Sequence, residues 1–279
     1  MYFTWLIIAA ILVAILCSFI GCFLILRKQA LMADAISHTI LLGIVLAFLV
    51  SSSLDGLPML IGGSMAGVFT AALTEWIRHR GIKNDAAIGI VFTTLFAIAV
   101  VIISVKTSHV HIDVNHTIMG EMAFIPWELV SVFGLFEAPR AVVLLVIAAI
   151  VVFIICLGLY ERWKVIMFDE QYARVIGINT SGYNYLFMLL LSLVAVAAFD
   201  AVGSILVIAL LVTPAAAAYL WTNKLSVMLI LSTIIGACSA LIGLLLAWQW
   251  DTTMAGMIAL VTGIIFTVSF VLNKFRRIA

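Results

Sequence analysis

Two residues that could do chemistry stand one helical turn apart. Asp34 and His38 occur in the stretch LMADAISH at 31–38. On a helix, side chains at i and i+4 share a face. A carboxylate and a neutral imidazole that converge suit Mn²⁺, Fe²⁺ or Zn²⁺. Ser37 stands beside them in sequence but points to a different face. The plainer reading makes Asp34 the cap of a helix and His38 a satisfied polar side chain. Two ligands do not complete a metal site; a symmetric partner chain could supply a second pair, giving four protein ligands.

Two further segments carry reactive or recognition groups. His109, His111, Asp113, His116 and Glu121 lie within 13 residues. The alternation of His109, His111 and Asp113 would set them on one face of an extended strand. That makes a metal-attracting patch or, more plainly, a solvated loop. Residues 161–180 read ERWKVIMFDEQYARVIGINT and are too charged to span a bilayer. Phe168, Tyr172 and Ile176 form an apolar line at i, i+4 and i+8, with Asp169, Glu170 and Arg174 beside it. This is an amphipathic helix, lying either on lipid or against a soluble partner.

The elements that must hold these residues are membrane helices. Hydrophobic residues make up 66% of the 279, and charged residues only 10%. A soluble domain is about 45–50% apolar and about 25% charged, so a soluble enzyme, a nucleic-acid-binding domain and a disordered chain are excluded. Cys17, Cys22, Cys156 and Cys238 all fall in apolar stretches without a CxxC pair, as small packing residues do. The first apolar run has Arg27 and Lys28 after it and no base before it, the reverse of a cleavable leader.

A helix needs about 20 apolar residues to cross the hydrocarbon core. The qualifying stretches are roughly 5–26, 31–50, 58–77, 85–105, 141–160, 184–199, 202–221, 225–248 and 254–273. This is an all-α integral membrane protein of about nine spans. Asp200 separates the sixth from the seventh with no evident turn residue, so eight spans with 184–221 partly irregular is the alternative. With nine, the bases at 27–28, 78–83, 162–174, 224 and 274–277 all fall on one side. The positive-inside rule then sets the N-terminus outside, the C-terminus in the cytoplasm and Asp34 near the inner end of the second span. One membrane domain, 1–279, carries an outer loop at about 106–140 and a cytoplasmic region at about 161–182. Within the outer loop, 124–136 suggests an interfacial or re-entrant helix. Gly63 and Gly67, Gly236 and Gly243, and Gly256 and Gly263 mark small-residue stripes that let helices approach closely, within one chain or between two.

No nucleotide-binding GxxxxGK followed by Ser or Thr is present, nor HExxH or GxSxG. This argues against intrinsic ATP hydrolysis by that route and against an intramembrane protease or esterase. A proton- or sodium-coupled secondary transporter without an ATPase, and a metalloenzyme built on His109, His111 and His116, remain as competing classes.

At four places the sequence resembles the permease subunits of bacterial ABC importers for manganese, zinc and iron. These are ILRKQALMADAISHTILLG at 25–43, HIDVNHTIMGEM at 111–122, FDEQYARVIGI at 168–178 and AVGSILVIALLVTPAAAAYL at 201–220. The resemblance covers nearly the whole chain. Asn115-His116 stands where many relatives have an acidic residue and a cysteine. The resemblance implies a fold similar to vitamin B12-type importers, in the bacterial plasma membrane. It also implies a homodimer, a separate cytosolic ABC ATPase and an extracytoplasmic metal-binding protein. No cofactor of the chain's own and no nucleic acid is implied; ATP belongs to the partner. Asp34 and His38 would be metal ligands, and about 163–178 the helix coupling to the ATPase, through Phe168, Asp169, Glu170, Tyr172, Arg174 and Ile176.

Overall fold

The computed structural model describes residues 2–51, 56–78, 80–106, 122–127, 129–132 and 136–278. His109, His111, Asp113, His116 and Glu121 lie outside the described residues. Among the described residues nine helices are long and apolar enough to cross a membrane. They are α1 (Tyr2–Leu26), α2 (Ala30–Ser51), α3 (Gly56–Arg78), α4 (Asn84–Lys106), α5 (Arg140–Gly158), α8 (Thr180–Val202), α9 (Ser204–Trp221), α10 (Leu225–Trp250) and α11 (Met254–Ile278). Two short helices, α6 (Tyr160–Phe168) and α7 (Glu170–Val175), separate α5 from α8.

The count of nine is the expected one, but the sixth and seventh helices are divided elsewhere. Asp200 lies inside α8, which continues to Val202. The break is at Gly203, with φ 80° and ψ 166°. Only glycine adopts that region without strain, so the turn residue is Gly203. Among the described residues of 124–136 the expected helix does not form. Met122–Trp127 forms a short 3₁₀ turn containing Pro126. Strands β1 (Leu129–Val132) and β2 (Phe136–Pro139) follow it and pair antiparallel, Leu129 opposite Pro139 and Ser131 opposite Glu137. Proline lacks the amide a longer helix needs, and the valines after it favour a strand.

The chain divides into two compact units. The first comprises Met1–Lys28, Asn115–Gly158 and Ala197–Ala279. Its centre is α1, apolar on all sides, as a helix surrounded by other helices must be. Small residues bring its neighbours close. A Cβ on Gly21 would lie 1.8 Å from the Leu211 carbonyl oxygen of α9. Gly236 of α10 sits against Ser18 and Ala14 of α1, and the Ser232 hydroxyl donates to the Ser18 carbonyl at 3.0 Å. Gly243 of α10 presses on Ile258 of α11. The Tyr2 hydroxyl donates to the Ala123 carbonyl at 2.8 Å, tying the 3₁₀ turn to the start of α1.

The second unit, Gln29–Val114 with Leu159–Val196, contains the residues singled out for chemistry that the structure describes. Helices α2 and α3 cross at Gly43 and Gly62, whose backbones meet directly. Leu41, Leu42 and Val45 of α2 pack against Val91, Leu95 and Ala99 of α4. Gly63 and Gly67 of α3 face Val196 and Ser192 of α8. That stripe therefore packs within one chain. Gly263 meets nothing within 4 Å.

Candidate functional site

The site helix begins from a tight turn. Lys28 takes a left-handed conformation, φ 55°, and α2 is regular from Ala30 onward. Asp34 is thus the fifth residue of α2, about 6 Å along its axis, and His38 lies about 12 Å along. The helix itself is about 33 Å long. A residue inside the helix does not cap it, so the capping role for Asp34 is excluded.

Both side chains do share a face. His38 Nε2 stands 3.5 Å from Asp34 Oδ1, and the side chains are 39% and 42% exposed. Half-exposed polar atoms remain available to a third party such as an ion. Ser37 turns away as expected, its hydroxyl donating to the Ala33 carbonyl at 2.6 Å. Thr39 is fully buried and joins α2 to α3, where the Thr70 hydroxyl donates to Thr39 Oγ1 at 2.9 Å. Among the described residues no three of His, Cys, Asp and Glu come together in a group suited to a metal ion. One chain offers the pair and no more from its described part.

Sequence reasoning missed the surroundings of His38. The Phe92 ring of α4 stacks on the imidazole, centroids 5.7 Å apart at 24°. The Phe96 ring meets it edge-on at 5.4 Å and 68°. The available signal was the i, i+4 spacing of two aromatics in α4, which marks one face but not what that face covers.

The amphipathic stretch is two helices rather than one spanning 163–178. Asp169 is extended, φ −149°, and its Oδ1 accepts from the Tyr172 amide at 2.9 Å. This is an N-cap, so α7 starts afresh after α6. At the far end Gly177, φ 84°, donates to the Arg174 carbonyl while the Ile178 amide reaches that of Ala173. That is the Schellman closure, for which glycine is the usual residue. Arg174 bonds Glu170 at 2.6 Å and Thr180 at 3.0 Å, fixing α7 to the start of α8. Trp163 of α6 is buried against Tyr183 and Phe187 of α8. Phe168, Tyr172 and Ile176 are exposed, together with Val175 at 83%, which the sequence line passed beside. They stand respectively at the end of α6, within α7 and at its C-cap, so no single helical stripe joins them. Replacing Asp169 with alanine should cost about 1 kcal/mol of local helix stability. Hydrogen–deuterium exchange over 170–176 should accelerate in that variant and stay near wild type in Asp169→Asn.

Residues 1–273 match the model of the ABC 3 transport family. The chain belongs to the ABC 3 transport family. The manganese transport system membrane protein MntD of Bacillus subtilis is 44% identical over 269 residues, 96% of this chain and 91% of that protein. The zinc transport system membrane protein TroD of Treponema pallidum is 34% identical, over 96% of this chain and 73% of its own length. Among solved structures, PsaBC from Streptococcus pneumoniae in complex with Fab superposes with a TM-score of 0.80 at 31% identity, covering 96% of this chain and 91% of that one. This ABC 3 family chain is accordingly a multi-pass membrane protein of a transport system, in keeping with the nine long apolar helices among its described residues.

Proposed function

We propose that this ABC 3 family chain is the membrane permease of an ATP-driven importer of a divalent transition metal, manganese or zinc before iron. The observation that carries the reading is the Asp34–His38 pair, half-exposed on one face of α2. It occurs in a chain 44% and 34% identical to proteins named for manganese and zinc transport. Carboxylate and imidazole accept both metals, so this pair does not by itself choose between them.

Two ligands per chain favour a homodimer in which each protomer contributes Asp34 and His38. An extracytoplasmic binding protein would deliver the ion, and the two pairs would hold it while part of its water shell is lost. A cytosolic ABC ATPase would bind and hydrolyse the ATP and act on the exposed apolar residues Phe168, Tyr172, Val175 and Ile176 of α6, α7 and its C-cap. The basic residues in five alternate connections support the N-terminus outside, the C-terminus in the cytoplasm and location in a bacterial plasma membrane. Family membership weighs against a secondary transporter, which needs no ATPase.

The test is cellular metal content, measured by mass spectrometry under metal limitation in a strain lacking the gene. One transition metal should be depleted, and the wild-type gene should restore it. Unchanged transition-metal contents would overturn the importer reading.

A further inference from the structure

We infer that Phe92 and Phe96 of α4 are positioning residues that aim the His38 imidazole at the ion. The inference rests on the reading of Asp34 and His38 as ligands, and adds what sets the direction of one of them.

A histidine on a helix surface does not have a fixed ring plane. Its χ2 torsion is broad and roughly two-fold, so the ring swings unless something stops it. Metal-binding histidines are usually held by a hydrogen bond from the second ring nitrogen to a carboxylate, carbonyl or water. Here, among the described residues, the ion-pair contact of the ring is Asp34, which faces Nε2 at 3.5 Å. Two aromatic rings of α4 also meet it. Phe92 lies nearly parallel to it at 5.7 Å, and Phe96 stands across it at 5.4 Å. A stacked ring on one side and an edge on another leave few positions for the imidazole.

Phe96 is itself held. Phe96 packs against the buried cluster of Leu41, Leu42, Val45, Val91, Leu95 and Ala99. Phe92 and Phe96 are four residues apart, so both face the same way from α4. Ligand and guides therefore ride on different helices. A change in the packing of α2 on α4 would change the aim of the ring while leaving the ligand set intact, which is a way to release an ion at one stage of a transport cycle.

Phe92 is the residue to change, because Phe96 also belongs to the packed core. Initial rates of manganese and zinc uptake would be measured in a strain lacking the gene and complemented with variants. Expression and thermal stability of each purified protein would be followed in parallel. Phe92→Leu should raise the apparent KM for the transported ion about tenfold, the lower end of what loss of a ligand's support costs. The maximal rate and the melting temperature should stay close to wild type. Phe92→Tyr, which keeps a ring, should restore the KM, and Phe96→Leu should repeat the KM effect with some loss of stability. An unchanged KM in Phe92→Leu would overturn the inference. So would a loss confined to the maximal rate and accompanied by a lower melting temperature, because that pattern is mere packing. Asp34→Ala in the same assay separates the two levels. If it transports normally, the ligand reading fails and this inference fails with it. If it is inactive while Phe92→Leu keeps its KM, only the positioning role is lost.

Discussion

Asp34→Ala should reduce metal uptake to the background of a strain lacking the gene, while the protein still inserts and folds. The expected loss is at least about 100-fold, since weakening even an outer-shell partner of a metal ligand costs up to that much. In a symmetric dimer the substitution removes both carboxylates at once and leaves two imidazoles. The structure separates this loss from misfolding. The Asp34 side chain is 42% exposed, and its partner His38 stands at 3.5 Å. Pairs of that kind contribute only about 0–1 kcal/mol to stability. Removing a carboxylate from a membrane helix also relieves an insertion cost, which is roughly 2.5–3.5 kcal/mol at the helix centre and smaller near its end, where Asp34 lies. The variant should therefore melt at or above the wild-type temperature. Uptake of metal at the wild-type rate by Asp34→Ala would remove the ligand role. His38→Ala should behave alike, because neither ligand alone holds the ion.

The second large effect is on stability, and its sign differs between glycines. A Cβ added at Gly43 would come within 2.2 Å of the Gly62 carbonyl oxygen and 2.6 Å of its carbon. Backbone atoms cannot rotate aside as a flexible side chain can, so α2 and α3 would have to part. Overpacking of this kind costs typically about 1–3 kcal/mol and sometimes more. In a chain of this size each kcal/mol shifts the melting temperature by roughly 2–4 °C. Gly43→Ala should accordingly melt about 2–12 °C below wild type. It should also transport poorly, because α2 carries Asp34 and His38. Gly89 and Gly263 are the controls. Nothing lies within 4 Å of a Cβ at either position, and alanine is favoured over glycine in a helix by up to about 1 kcal/mol. Gly89→Ala and Gly263→Ala should thus hold or raise the melting temperature of the purified chain. A Gly43→Ala protein as stable as these two would show that the α2–α3 crossing does not depend on the missing side chain.

Much of this molecule was legible in its residues. Nine apolar stretches gave nine helices among the described residues, because in lipid every backbone amide must be satisfied within its own segment. Length and hydropathy therefore decide each span before any neighbour is present. The Asp34–His38 face followed from helical period alone, which is a property of one segment. Other features depended on which segments meet. The partner of Gly63 and Gly67 turned out to be α8, at Val196 and Ser192, and a stripe of small residues does not say against what it packs. The boundary at Gly203 rather than Asp200 was hidden because an acidic residue looks like an end. In fact the backbone turns where only glycine tolerates the angles. The split of 161–180 at Asp169 was likewise hidden, since an aspartate inside an amphipathic pattern is equally a surface residue or a cap. The aromatic pair around His38 belongs to the same class. Phe92 and Phe96 are ordinary apolar residues of a membrane helix until α4 lies against α2. What the sequence alone determined is the local part, namely the spans, the shared face of Asp34 and His38 and the family. The tertiary structure alone decided which side chains hold that pair in place, because contacts between helices depend on packing over distances that no single segment encodes.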